Sequence, residues 1–215
     1  MEHSVGLRTW AFIVPSWMVG LFANVNDAWP GAVNLAIGPE YTYRRGNLDV
    51  VVGIQYTGLQ APDGYFRGTN EGDVATERVK SSLWALYANA LFLWNYRPND
   101  WFEFQYGAGV GLGYVGGDLY RVQVYRNPPP AGPYTDCQGR GIPDPAYCDH
   151  ANQHYGNYTE PRAIVGNGSI PPIVPWFSLP HLALHFRPHR HIDLRLDGGF
   201  ALIGFYGGGA LHYVF

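Results

Sequence analysis

The sequence predicts an all-β fold: a transmembrane, antiparallel, up-and-down β-barrel of about eight strands. Three observations carry that expectation. Most of the chain alternates apolar and polar residues with period two, as strands do when side chains point to opposite faces. Between 192 and 197, for example, Ile192, Leu194 and Leu196 share one face, and Asp193, Arg195 and Asp197 the other. Charged residues make up only 14% of the chain while aromatics reach 16%, whereas soluble domains carry about 25% charge. The links after the first, third and fifth strands are long, and those after the second, fourth and sixth are short turns; the seventh, at 201–204, is short and breaks the alternation. A barrel with long loops on one side of a membrane and short turns on the other has this pattern. An apolar face opposite a charged one then reads as lipid-facing exterior and polar interior.

The strands follow in order. The first, at 4–14, has Val5, Leu7, Ala11 and Ile13 on one face and Arg8 on the other. Its alternation is the weakest, because Trp10 and Phe12 fall on the Arg8 side. Within 15–23, Trp17, Met18, Leu21 and Phe22 recur at the spacing of a short amphipathic helix, and Pro15 suits its first turn. Residues 24–30 read as loop. The second strand, 32–44, directs Val33, Leu35, Ile37, Tyr41 and Tyr43 outward, with Asn34, Glu40, Thr42 and Arg44 inward. A turn at 45–47 leads to the third, 48–57, with Val50, Val52, Ile54 and Tyr56 out, and Asp49, Gln55 and Thr57 in.

A polar loop is expected at 60–80. The fourth strand, 82–96, faces lipid with Trp84, Leu86, Ala88, Ala90, Phe92, Trp94 and Tyr96. Its aromatics sit at the ends and its small residues in the middle, as interfacial girdles require. The fifth, 101–114, turns Phe104, Tyr106, Val110 and Leu112 outward, and Glu103, Gln105 and a column of four glycines (Gly107, Gly109, Gly111, Gly113) inward. Such a column makes room for bulky interior side chains or permits sharp curvature. Alternation continues to Tyr125, lifting this hairpin edge above the membrane. The sixth strand, 176–187, places Leu182, Leu184 and Phe186 out, and His181, His185 and Arg187 in. A turn at 188–190 precedes the final hairpin, 192–215, whose last strand shows Phe205, Leu211, Tyr213 and Phe215 outward and His212 inward.

The 215 residues suit one domain, 1–215. No apolar run reaches the roughly 18 residues of a membrane-spanning helix. A net charge of −3 leaves no basic footprint for nucleic acid. Residues 4–14 are read as a strand rather than part of a secretory signal, since removing them would leave an odd strand count. The chain is therefore expected to be a mature form, its signal already absent.

The two cysteines, Cys137 and Cys148, fall inside one long segment, 126–174. A lone pair so placed predicts a loop disulfide made in an oxidising compartment. Five tyrosines (Tyr125, Tyr134, Tyr147, Tyr155, Tyr158) give this region aromatic mass, and prolines stiffen its stems. An ordered extracellular cap is expected beside the Trp17–Phe22 stretch. Cys137, Cys148, His150 and His154 are the alternative reading as zinc ligands, although their spacing matches no standard finger. The sequons at Asn157 and Asn167 carry little weight.

Inward charges form the main candidate site: Arg8, Glu40, Arg44, Asp49, Glu103, Asp193, Arg195 and Asp197, with His181, His185 and His212. They read either as a polar conduit or as a paired plug, since buried charges need partners. A barrel of about eight strands is just wide enough for side chains.

The strand pattern over nearly the whole chain, with Leu211-His212-Tyr213-Val214-Phe215 at its end, resembles the small outer-membrane β-barrels of Gram-negative bacteria, the group that includes the OmpA membrane domain and OmpX. The Gly-rich segment 107–120 is also similar to barrel proteins of deltaproteobacterial type. This resemblance implies residence in the bacterial outer membrane, contact with its lipid, and recognition of Leu211, Tyr213 and Phe215 by the outer-membrane assembly machinery. The apolar stripe Trp17, Met18, Leu21 and Phe22 itself reads in three ways: packing over the barrel mouth, dipping into the membrane interface, or docking an envelope partner. Some barrels of this group modify lipid A with Ser and His at the rim, and Ser178 precedes His181 here. No deacylase-like pattern accompanies them. The expectation is a non-enzymatic protein without cofactor, structural or partner-binding through its loops, with a narrow solute channel or a lipid-modifying enzyme as alternatives.

Overall fold

The computed structural model describes residues 1–21, 23–26, 29–148, 154–156, 158–163, 168–202 and 204–215. Phe22, His150, Asn157 and Asn167 lie outside the described residues. The chain runs β1 (Glu2–Val14), one helical turn α1 (Ser16–Val19), β2 (Ala23–Asn26), β3 (Ala32–Arg45) and β4 (Leu48–Gly58). Next come β5 (Gly64–Gly68), β6 (Glu77–Ser81), β7 (Trp84–Tyr96), β8 (Phe102–Gly116) and β9 (Leu119–Arg126). It ends with β10 (Tyr134–Asp136), β11 (Ile173–His189), β12 (Ile192–Ala201) and β13 (Gly204–Val214).

Eight of these strands close into an antiparallel barrel in the order β1-β13-β12-β11-β8-β7-β4-β3. Pairing of β1 with β13, Ser4 to Val214 through Ile13 to Phe205, removes every free edge. A closed sheet satisfies all its backbone groups internally, which is what a lipid environment demands. No helix among the described residues is long and apolar enough to cross a membrane; the strands cross.

The exposures are inverted relative to a soluble barrel. Leu7 is 54% exposed and Leu112 63%, while Arg8 is 0% and Arg195 2%. In water this arrangement would solvate the apolar faces and bury the charges, so the exterior belongs in lipid. Two aromatic belts bracket it. Tyr56, Trp84 and Tyr114 meet ring to ring at the long-loop end. Trp94 and Tyr106 meet near the short-turn end, as do Phe102 and Phe186. Val52, Ile54, Ala88, Ala90 and Val110 fill the band between them, which is the depth profile of a membrane-spanning barrel. Both chain termini lie at the short-turn end, where Glu2 pairs with Arg44.

Three expectations are corrected by a second sheet of five strands, in the order β10-β9-β6-β5-β2. The stretch 24–30 contributes β2, the supposed polar loop 60–80 contributes β5 and β6, and 126–174 contributes β10. These strands are three to five residues long, and three of them carry charge, so period two has no room to show. Their partners are also distant: Glu77 pairs with Gln123 and Ser81 with Leu119. The expected continuation past residue 114 is present, with a break. β8 ends at Gly116, Gly117 takes φ +85, and β9 carries the hairpin edge up into the cap. An L-residue is strained at that φ, and a Cβ there would lie 2.4 Å from the Ser82 carbonyl oxygen.

Both readings of the glycine column apply, at different positions. A Cβ on Gly109 would sit 2.5 Å from Leu91 Cδ2 and 2.7 Å from the Trp176 ring, so this glycine makes room for interior side chains. On Gly107 and Gly111 it would meet the backbone of β7 instead, 1.9 Å from the Phe92 oxygen and 2.3 Å from that of Ala88. Those two permit close approach of the sheet to itself.

Candidate functional site: a filled lumen under a loop cap

The inward-facing residues stack in three tiers. At the short-turn end, Arg44 forks onto Asp49, with Nε 2.7 Å from Oδ1 and Nη2 2.6 Å from Oδ2. Asp49 also accepts from Asn95 at 2.7 Å and Gln105 at 2.8 Å. Glu103 accepts from Arg44 at 3.1 Å and pairs with Arg97 at 2.8 Å. His185 lies between Asp193 at 3.1 Å and Glu103 at 3.3 Å. Arg187 pairs with Asp193 and Glu2. Apart from Arg97, which lies in the turn after β7, each of these polar groups sits on the inward parity of its strand, and opposite charges are close enough to offset part of their desolvation.

In the middle tier, two guanidiniums face two carboxylates. Arg8 contacts Glu40 at 2.6 Å and Asp197 at 3.1 Å; Arg195 contacts Glu40 and lies 3.4 Å from Asp197. His212 bonds to the same Glu40 oxygen as Arg195. The void at these two tiers, lined by Glu2, Thr42, Gln105 and Arg195 among others and partly open at the short-turn end, measures about 10 Å³. That is room for about one water molecule.

The third tier, toward the long loops, is aromatic. Trp10, Phe12, Tyr87, Trp176 and Tyr206 form one buried cluster with Leu91. Trp10 stacks on Trp176 at 5.8 Å and on Tyr87 at 6.5 Å. Trp10 also joins this tier to the one below: Arg8 lies 4.5 Å from its ring, and its Nε1 donates to Asp197 at 2.6 Å. The sequence reading treated Trp10 and Phe12 as weakening the first strand, yet they fill the lumen. Equal parity of Trp10, Phe12, Tyr87 and Tyr206 with known inward residues was the signal that could have found most of this tier; Trp176 has the opposite parity to His181 and His185, because a bulge between Ser178 and His181 switches the faces of β11.

Ser178 and His181 do come together, but through Tyr206. The Tyr206 hydroxyl bonds to Ser178 and lies 2.6 Å from His181 Nδ1. Ser178 is 1% exposed and His181 0%. This serine is buried inside the barrel wall, away from the rim position that lipid-modifying barrels use.

The cap is built from the second sheet. Cys137 and Cys148 form a disulfide, both fully buried against Tyr125, Tyr147 and Tyr155. The bridged thiols are not available as zinc ligands, and His154 Nδ1 lies 2.8 Å from Glu77. Tyr134 stacks on Tyr65 at 4.4 Å and carries Arg126 4.1 Å over its ring, and Tyr158 stacks on His154 at 4.0 Å. All five tyrosines singled out in the sequence thus pack within the cap. Arg121 ties β9 to Glu77 at 2.6 Å and to Glu160 at 3.2 Å, and Arg78 pairs with Asp136. Arg162 anchors the cap to the barrel rim through the Val115 and Gly117 carbonyls.

Trp17, 59% exposed, rests against Phe205 on the outer wall with ring centroids 6.4 Å apart. Leu21 is exposed and Met18 half-buried. Leu211, Tyr213 and Phe215 lie exposed along the outward parity of the last strand, and the Phe215 ring stacks on His3 at 6.1 Å.

The chain is thus an eight-stranded transmembrane β-barrel whose lumen is filled by its own side chains and whose long loops form a sheet. It is similar in architecture to small outer-membrane barrels. Neisserial surface protein A matches at 10% identity over 99% of this chain and 94% of its own, with a TM-score of 0.40. The Yersinia pestis outer-membrane protein Ail in nanodiscs matches at 12% identity over 100% and 99%, TM-score 0.42. Ail crystallised with the heparin analogue sucrose octasulfate matches at 13% identity over the full length of both chains, TM-score 0.33. No family model matches the sequence, and no curated protein does. The barrel assignment rests on this chain's own strand pairing.

Proposed function

We propose that this is a single-domain, non-enzymatic barrel of the bacterial outer membrane, with its short turns and termini periplasmic, that acts by presenting its extracellular cap to a partner. One observation supports the reading above the others. Three separate loops are organised into a five-stranded sheet beside a disulfide-closed loop, while the lumen beneath is closed by two ionic tiers and an aromatic one. A conduit has no use for such a filling, whereas a display scaffold needs a rigid surface. Loops ordered on a rigid frame are where binding residues concentrate. Ile142, 54% exposed within the disulfide-closed loop, exemplifies the apolar surface so presented.

Site-specific photo-cross-linking in the native membrane tests this. A photoreactive residue at Ile142 should give a discrete adduct, and one at exposed Arg190, on the short-turn side, should not. Adducts from Arg190 alone would overturn the proposal, as would steady single-channel openings of the wild-type protein in planar bilayers. A changed acyl count of lipid A on expression would do the same for its non-enzymatic part.

A further inference from the structure

Where the cap meets the barrel mouth, two recesses adjoin across one side chain. The lower one, about 260 Å³, has Phe12 as its floor, Val14, Ala32 and Leu59 as walls, and Trp29 and Phe66 as roof. Trp29 is fixed by donating its Nε1 to the Pro62 carbonyl at 3.1 Å, and its ring meets Phe66 edge-on at 5.8 Å. The polar groups at this recess are the amides of Asn34 and Gln60, and Asn34 Oδ1 already accepts from the Gln60 backbone N–H at 2.9 Å. An apolar space of about 150 Å³ is enough to hold a benzene ring. Phe12, on the recess floor, belongs to the aromatic tier below.

The second recess, about 540 Å³, shares Phe66 and is of opposite character. Arg67, Arg121, Glu71 and Glu77 line it, two cations against two carboxylates. Arg121 and Glu77 hold each other at 2.6 Å, and Glu71 accepts from the Gly68 N–H at 3.0 Å. A balanced set of this kind offers hydrogen bonds to a neutral head group and no net field for a charged one.

We infer that the two recesses form one binding site for a small amphiphile, with a single short apolar chain or ring under Trp29 and Phe66 and an uncharged polar head among Arg67, Glu71, Glu77 and Arg121. Ligand pockets are commonly apolar with a few placed polar groups, and the mouth of a barrel is a common place for them. The site stands independently of the partner-binding reading, since it needs neither a macromolecular partner nor a sealed lumen.

The test is ¹⁹F NMR of the full chain, labelled with 5-fluorotryptophan and held in phospholipid nanodiscs, with the Trp29 signal assigned through Trp29→Phe. Octyl glucoside, kept below its micelle concentration, is the probe. The Trp29 resonance should move saturably, while Trp84 and Trp94 on the lipid face show only the unsaturating drift of partition. Ala61→Phe, which fills the lower recess from its loop wall, should weaken the saturable response at least about tenfold. Val19→Trp, which fills it from α1, should do so in a second, independent variant. Glucose alone should leave Trp29 unmoved. A Trp29 response that never saturates, that survives both filled variants, or that glucose reproduces would overturn the inference.

Discussion

Glu40→Gln removes one of the two carboxylates that hold Arg8 and Arg195 in the closed middle of the lumen. Glu40 contacts Arg8 at 2.6 Å and bonds to both Arg195 and His212, and the side chains of all three charged residues are at most 2% exposed. Solvent screening therefore takes little away. Breaking a buried ion pair from one side costs about 3–5 kcal/mol, because the partner charge stays buried without compensation. Urea unfolding of small proteins has a slope of about 2 kcal/mol per M, so the midpoint should fall by about 2 M. Refolding into lipid vesicles across a urea series, read by gel mobility without heating and by tryptophan emission, measures it. The second arm is Arg8→Met with Glu40→Leu, which removes one charge of each sign and leaves the Arg195–Asp197 pair at 3.4 Å. Replacing buried pairs by apolar residues is often neutral, so the double variant should regain most of the midpoint. It should fall short of the wild type, since Trp10 loses its cation 4.5 Å away, a contact worth about 1–2 kcal/mol when desolvated. A Glu40→Gln midpoint within about 0.3 M of wild type would refute the ionic tier as described, because no buried charge could then depend on Glu40.

Gly109→Leu should destabilise by about 1–3 kcal/mol through overpacking against Leu91 and Trp176, whereas Gly207→Ala, whose nearest neighbour would lie 3.8 Å away, should shift the same urea midpoint by less than about 0.3 M. Leu112→Arg, in the middle of the lipid band, should cost about 2–4 kcal/mol, and Tyr96→Arg at the interface about 0–1; equal costs would contradict the membrane depth assigned to the strands. The double variant Cys137→Ser/Cys148→Ser should lose about 3 kcal/mol of cap stability, seen as faster protease cleavage within 126–172 while the barrel stays resistant; unchanged cleavage would deny the bridge its role.

Which side a strand residue faces was legible, and how high it stands was not. Parity alone placed Arg8, Glu40, Asp49, Glu103, Arg195, Asp197 and His212 inside, because a single charge on the wrong face would break the alternation. Parity says nothing about which of them share a level. That depends on the stagger between neighbouring strands, fixed by pairs such as Arg8 with Ala210 and Gly38. Hence the separation into two ionic tiers and one aromatic tier emerges only from the closed barrel. The cap was illegible for a related reason: β5 and β6 are five residues each, and β6 pairs with β9 more than 35 residues away. Its disulfide was easier to foresee, because two cysteines in one segment have few alternatives.

Trp10 shows why apolar residues on the polar face should count as evidence about a lumen rather than as noise. In a wide barrel an inward tryptophan would face water, and the alternation would work against it. In a barrel of eight strands the interior has little space for water, so a large ring there can gain its full apolar burial. The chain spends five such rings at the loop end, and opens the facing wall at Gly109 to admit them. The charges sit below them, where each finds an opposite charge within about 3.5 Å. A solute entering from the cap side would therefore have to displace packed aromatics before it reached the first charged group. That order, apolar seal above ionic filling, is opposite to what a polar solute pathway requires.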